Sequence, residues 1–137
     1  MVDGTVDAFT LAVNEVLGEE DGYVNNPSDP GGETKWGISK RAFPDVDIAN
    51  LTRDDAKALY KTHYWDPLLK YGLLGKFQLV AFECAVNQGL STVEKLLPQA
   101  KGQLSWFMAD RALGYIQDKN FATFGKGWLR RLFKELE

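Results

Sequence analysis

A chain of 137 residues with 45% hydrophobic and 12% aromatic side chains has the makings of a packed core and is not a disordered polymer. Its net charge of −3 leaves no strongly basic face, which argues against nucleic acid as a partner. A lone cysteine, Cys84, excludes an internal disulfide, and a lone histidine, His63, argues against a zinc site or a Cys-His dyad.

The first residues, Met1-Val2-Asp3-Gly4-Thr5-Val6-Asp7, are acidic where a signal peptide is basic. No stretch approaches the ~20 apolar residues of a membrane span. The expectation is a chain made in the cytoplasm with no signal peptide. Residues 1–66 carry 13 acids and 6 bases, a net −7, and residues 67–137 carry 6 acids and 10 bases, a net +4. The second half is mildly suited to an anionic wall polymer or membrane surface, although a mixed solvated surface is the plainer reading.

Phe9, Ala12, Val13, Val16 and Leu17 recur at helical spacing and predict an amphipathic helix over about residues 5–19. The same period places Glu20 at the end of the apolar face, while Glu19 turns to solvent. Desolvation there raises a carboxyl pKa, as a general acid needs. A solvated helix-end glutamate fits the pattern equally well. Residues 21–50 then lose the period and hold Pro27, Pro30, Pro44, Gly22, Gly31, Gly32 and Gly37, the composition of a loop or a small β-hairpin lobe. Asp29 sits in the turn-rich run Ser28-Asp29-Pro30-Gly31-Gly32, where a carboxylate stays ionised and can orient a water. Taken alone, it reads better as a turn initiator. Thr34 can hold that water or be an ordinary strand residue. Glu33 is a rival for the second carboxylate. Tyr23 and Trp36 flank the carboxylates, suited to stacking on sugar rings or to core packing.

Thr52-Arg53-Asp54-Asp55 has the order of a helix start, a capping threonine with an acid three residues on, and that helix is predicted to stop near Trp65, before Pro67. Residues 76–88 are apolar on nearly every side and predict a buried helix, in which Cys84 is a small hydrophobe and not a nucleophile. Asn87-Gln88-Gly89 at its end offers amides for substrate hydroxyls and acetamides, or for capping. Val93, Leu96 and Leu97 predict a short helix ended by Pro98. Leu104, Phe107, Met108, Ala112 and Tyr115 predict another, and Phe121, Phe124, Trp128, Leu129, Leu132 and Leu136 the last. In that last helix Lys126, Arg130, Arg131 and Lys134 give a cationic amphipathic pattern suited to weak membrane contact. A terminal helix docked on the core is the stronger reading. The expected fold is mainly α (α+β), a single domain over residues 1–137 with a small irregular or β lobe near the N-terminus.

The run from Glu20 to Ile38, with Tyr64-Trp65, Ala85-Val86-Asn87-Gln88-Gly89 and Gly127-Trp128-Leu129-Arg130-Arg131, resembles glycoside hydrolase family 108. These are N-acetylmuramidases found among phage endolysins and related bacterial wall hydrolases. The resemblance implies a lysozyme-like fold, and it implies that Glu20 is the catalytic acid, matching the glutamate of the family's Glu-Gly-Gly-Tyr motif. Here that motif reads Glu20-Asp21-Gly22-Tyr23, with an extra negative charge at Asp21. The spacing Glu20-x8-Asp29 is similar to that of phage-type lysozymes, where a threonine follows. Thr34 follows Asp29 after four residues here instead of five. Glu83 stands where the family more often has aspartate.

The resemblance thus implies a monomeric peptidoglycan hydrolase that cleaves the β-1,4 bond between N-acetylmuramic acid and N-acetylglucosamine, with no metal or cofactor. Glu20, Asp29 and Thr34 would be its catalytic residues, and Tyr23, Trp36, Asn87 and Gln88 its substrate contacts. Its setting would be phage endolysis, from the host cytoplasm to the periplasm and wall. A lytic transglycosylase, needing only the glutamate, and a non-catalytic wall-binding protein are the alternatives.

Overall fold

The computed structural model describes residues 7–18, 22–26, 28 and 32–134. The chain divides into two compact units, Met1–Gly72 and Leu73–Glu137.

In the first unit, helix α1 spans Ala8–Leu17. Asp7 caps it, its carboxylate accepting the Thr10 N–H at 2.8 Å and the Thr10 hydroxyl at 3.1 Å. Those bonds satisfy an otherwise orphaned helix donor and hold the Asp7 carboxyl below its ordinary range. The helix turns Ala12, Val13 and Leu17 inward, as the apolar spacing predicts, and ends at Gly18 with φ 65°, a left-handed conformation that favours glycine. The outermost residues of the predicted helix, 5, 6 and 19, lie outside the described residues.

The Pro- and Gly-rich stretch forms three short antiparallel strands, β1 (Val24–Asn25), β2 (Glu33–Lys35) and β3 (Ile38–Ser39), in the order β1-β2-β3. A 3₁₀ turn at Ile48–Asn50 follows, burying Ile48 with Leu51. Lys35 Nζ donates to the Ala49 carbonyl at 2.9 Å, tying the sheet to this turn.

Helix α2 spans Arg53–Tyr60 and opens with the capping box the sequence order predicts. The Asp55 N–H donates to Thr52 Oγ1 at 3.1 Å, and the Thr52 N–H donates to Asp55 Oδ2 at 3.2 Å. Removing the hydroxyl with Thr52→Ala is expected to cost about 1 kcal/mol, seen as a melting temperature lower by a few degrees in a thermal scan. An unchanged melting temperature would show that solvent replaces this cap at no cost.

The predicted stop before Pro67 is not what the chain does. After Tyr60 the helix widens into a π turn over Lys61–Trp65, then tightens into a 3₁₀ segment over Asp66–Tyr71. Pro67 falls in the first turn of that segment, where its fixed φ is already helical. The π turn directs Trp65 inward, edge-on to Phe9 of α1 with centroids 5.5 Å apart.

The second unit is a run of four helices, each packed on the next: α3 (Gly75–Gln88), α4 (Leu90–Ala100), α5 (Leu104–Gln117) and α6 (Phe121–Lys134). The apolar run of α3 buries Val80, Ala81, Phe82, Cys84 and Ala85, so Cys84 is the small core residue expected of it. Pro98 does not end α4, which continues through it to Ala100. Proline's φ is helical, and only the bond to the Glu94 carbonyl is lost, a modest penalty within the final turn. Part of the apolar side of α6 packs on α5: Leu132 is buried, and the Trp128 ring lies 5.3 Å from that of Tyr115. Phe124 and Phe133 remain exposed on α6. No helix among the described residues is long and apolar enough to cross a membrane.

Candidate active site

Glu20 and Asp29, the two carboxylates singled out by the sequence, lie outside the described residues, as does Asp21. Described residues flank them in the sequence. Tyr23 precedes β1, and its hydroxyl donates to Glu33 Oε2 at 2.7 Å. That hydrogen bond, with partial desolvation and the adjacent negative charge, raises the Tyr23 pKa. The register pairs Val24 with Thr34 and Thr34 with Ser39, while Asn25 pairs with Glu33 and Lys35 with Ile38. Side chains alternate along a strand, so Thr34 shares one face of the sheet with Val24 and Ser39, and Glu33 and Lys35 take the other. Glu33 and Thr34 therefore cannot act on one water. Glu33 already accepts the Tyr23 hydroxyl, which leaves the half-buried Thr34 as the polar strand residue of its face beside Ser39.

Trp36 and Gly37 form the two-residue connection between β2 and β3, with φ values of 53° and 75°. Positive φ at both central positions is what a type I′ hairpin turn requires. Glycine meets that demand freely, but tryptophan is strained there, and such strain persists only where the surroundings hold it. Two residues of α2 do so. The Tyr60 hydroxyl donates to the Trp36 carbonyl at 2.8 Å, and the Arg53 guanidinium lies over the indole, 6.0 Å from its centroid. Burial pushes the Tyr60 phenol well above its usual pKa, so it remains a neutral donor. Neither Tyr60 nor Arg53 stands out in the sequence as a site residue. Lying seven apart, at the two ends of α2, they reach Trp36 only through tertiary packing.

Asn87 and Gln88 end α3 in the second unit, Asn87 exposed and Gln88 half-buried. Gln88 Oε1 accepts from Arg111 Nε at 2.8 Å and from the Cys84 thiol at 3.5 Å. Its carbonyl takes the Thr92 hydroxyl at 2.8 Å. The Gln88 amide thereby links α3 to α5. Arg111 is fully buried, and a buried guanidinium is tolerated only when its donors are met; the Tyr115 hydroxyl, at 3.5 Å, is a further partner. The signal for Arg111 is present in the sequence, since it falls inside the apolar stripe of Phe107, Met108 and Tyr115.

A mainly helical chain with a three-stranded antiparallel sheet between its first two helices has the lysozyme-like fold. The solved structure described as that of Brucella abortus SagA is similar over 93% of this chain and 90% of that one, with a TM-score of 0.78 and 24% identity, a likeness that speaks for the fold. No curated protein matches the chain. The family model for glycosyl hydrolase 108 matches residues 13–89, more than half of the sequence and every candidate site residue from Glu20 to Gln88. The chain belongs to glycosyl hydrolase family 108. It is thus a glycoside hydrolase of the muramidase type, with peptidoglycan as its substrate class.

Proposed function

We propose that this chain is an endolysin-type N-acetylmuramidase that hydrolyses the β-1,4 bond between N-acetylmuramic acid and N-acetylglucosamine. The observation that carries this reading is the family match over residues 13–89, which includes Glu20 and the whole β lobe. Glu20 gives its proton to the glycosidic oxygen as that bond breaks, and water adds to the anomeric carbon. Asp29 orients the water, takes the proton it gives up and steadies the positive charge that develops on the sugar. Thr34, on the opposite sheet face from Glu33, holds the same water by its hydroxyl. Trp36, fixed over its own strained turn, offers an aromatic face for a sugar ring, and Asn87 offers an exposed amide. The biological setting proposed is lysis of a host cell, with synthesis in the cytoplasm and a separate route of release to the wall.

Digestion of purified Gram-negative peptidoglycan, with products read by mass spectrometry, tests the reaction. Reducing N-acetylmuramic ends are expected from the wild type. Anhydro ends would identify a lytic transglycosylase instead, and intact glycan would leave a wall-binding protein.

A further inference from the structure

One side chain grips both stems of the segment that carries the proposed carboxylates. That segment departs from α1 at Gly18 and meets the β2–β3 turn at Trp36, and residues 19–35 between them include Glu20, Asp29 and Thr34. Arg53, the first residue of α2, donates from Nη2 to Asn14 Oδ1 at 3.1 Å and to the Gly18 carbonyl at 3.4 Å. The same guanidinium lies over the Trp36 indole.

We propose that Arg53 is a positioning residue for glycan cleavage, a clasp that holds Gly18, two residues before Glu20, and the β2–β3 turn at Trp36, two residues after Thr34. This rests on the proposed role of Glu20. Three features of the contacts favour it. The Gly18 carbonyl belongs to the C-terminal end of α1, where the helix dipole is negative and its last carbonyls lack helical partners, so a cation is stabilising there. A guanidinium donates in its plane while its face covers an aromatic ring, and an ammonium cannot do both. Trp36 also holds a left-handed backbone, φ 53°, which must be sustained by contacts from elsewhere. The proposed action of Arg53 is indirect. Its effect runs through geometry, and misplacing a catalytic group by about 1 Å is enough to cost about a hundredfold in rate.

The test is steady-state kinetics on soluble peptidoglycan fragments for the wild type, Arg53→Met, Arg53→Lys and Glu20→Gln, with a melting temperature for each. Arg53→Met is expected to lower kcat at least about tenfold while KM stays within about threefold. Arg53→Lys, which keeps the charge without the fork, is expected to lower kcat about threefold or more. If Arg53→Met does not fold, the lysine variant decides by the same split. A merely structural role lowers the melting temperature and leaves kcat per folded molecule unchanged, which overturns the proposal. So does an effect confined to KM, since that marks direct binding of the glycan. Wild-type turnover by Glu20→Gln would instead refute the reading of Glu20 as the acid. An inactive Glu20→Gln beside fully active Arg53 variants would refute the clasp alone.

Discussion

Glu20→Gln is expected to lower glycosidic hydrolysis by at least about a hundredfold, and by as much as about ten-thousandfold, with no change in folding. Glutamine has the size and shape of glutamic acid but no proton to give, and an unprotonated glycosidic oxygen is a poor leaving group. The residue follows α1 directly in sequence, beyond Gly18, and the helix keeps its own cap at Asp7 and its buried face. Activity within threefold of wild type on soluble peptidoglycan fragments would remove Glu20 from the mechanism. Asp29→Asn separates the remaining readings. A hydrolase that uses Asp29 to orient water loses activity in both variants, while a transglycosylase tolerates the asparagine and forms anhydro ends. The alkaline limb of the wild-type kcat/KM profile should report ionisation of the acid, because only the protonated form donates.

Gly37→Ala is expected to destabilise the protein by about 2–4 kcal/mol, and so to lower the melting temperature by about 10 °C. Two effects add. Gly37 has φ 75°, a conformation an alanine occupies with strain, and a Cβ built there runs into the Tyr60 hydroxyl. Tyr60 is 1% exposed and has little room to retreat, so its hydrogen bond to the Trp36 carbonyl is sacrificed as well. Gly72→Ala is the control, since Gly72 has φ 63° and nothing within 4 Å of an added Cβ. It should show the backbone strain alone, about 1 kcal/mol. Equal losses at the two positions would mean that the Tyr60 contact relaxes freely. Pairing Gly37→Ala with Tyr60→Phe should recover part of the loss, because the offending oxygen is gone and the two changes couple.

How much of this was legible beforehand differs from element to element. The helical period of Phe9, Ala12, Val13, Val16 and Leu17 predicts α1, and Thr52 with Asp55 predicts the start of α2, because caps and amphipathic faces depend on residues within four of each other. The apolar run at 76–88 likewise predicts a buried α3. The two prolines misled for one reason: a proline's cost depends on where it falls, and Pro67 stands where one helix type gives way to another while Pro98 forfeits a single bond in the final turn of α4. Trp36-Gly37 was not legible as a turn. Its positive φ values are those expected of Asn-Gly, and a tryptophan there depends on Tyr60 and Arg53.

The sequence by itself determined the class of protein: a helical chain with an early β lobe, a glutamate three residues past its first helix, and motifs spread from Glu20 to Arg131. Local spacing carries such information, and the family match over residues 13–89 rests on it. Only the tertiary structure decided which side chains are spent on support. It committed Glu33 to Tyr23 and Gln88 to Arg111, and it brought Arg53 to both stems of the candidate catalytic segment. Those choices join residues up to 39 apart in sequence, and no local pattern encodes them, because a hydrogen bond between distant residues is selected by packing and not by propensity.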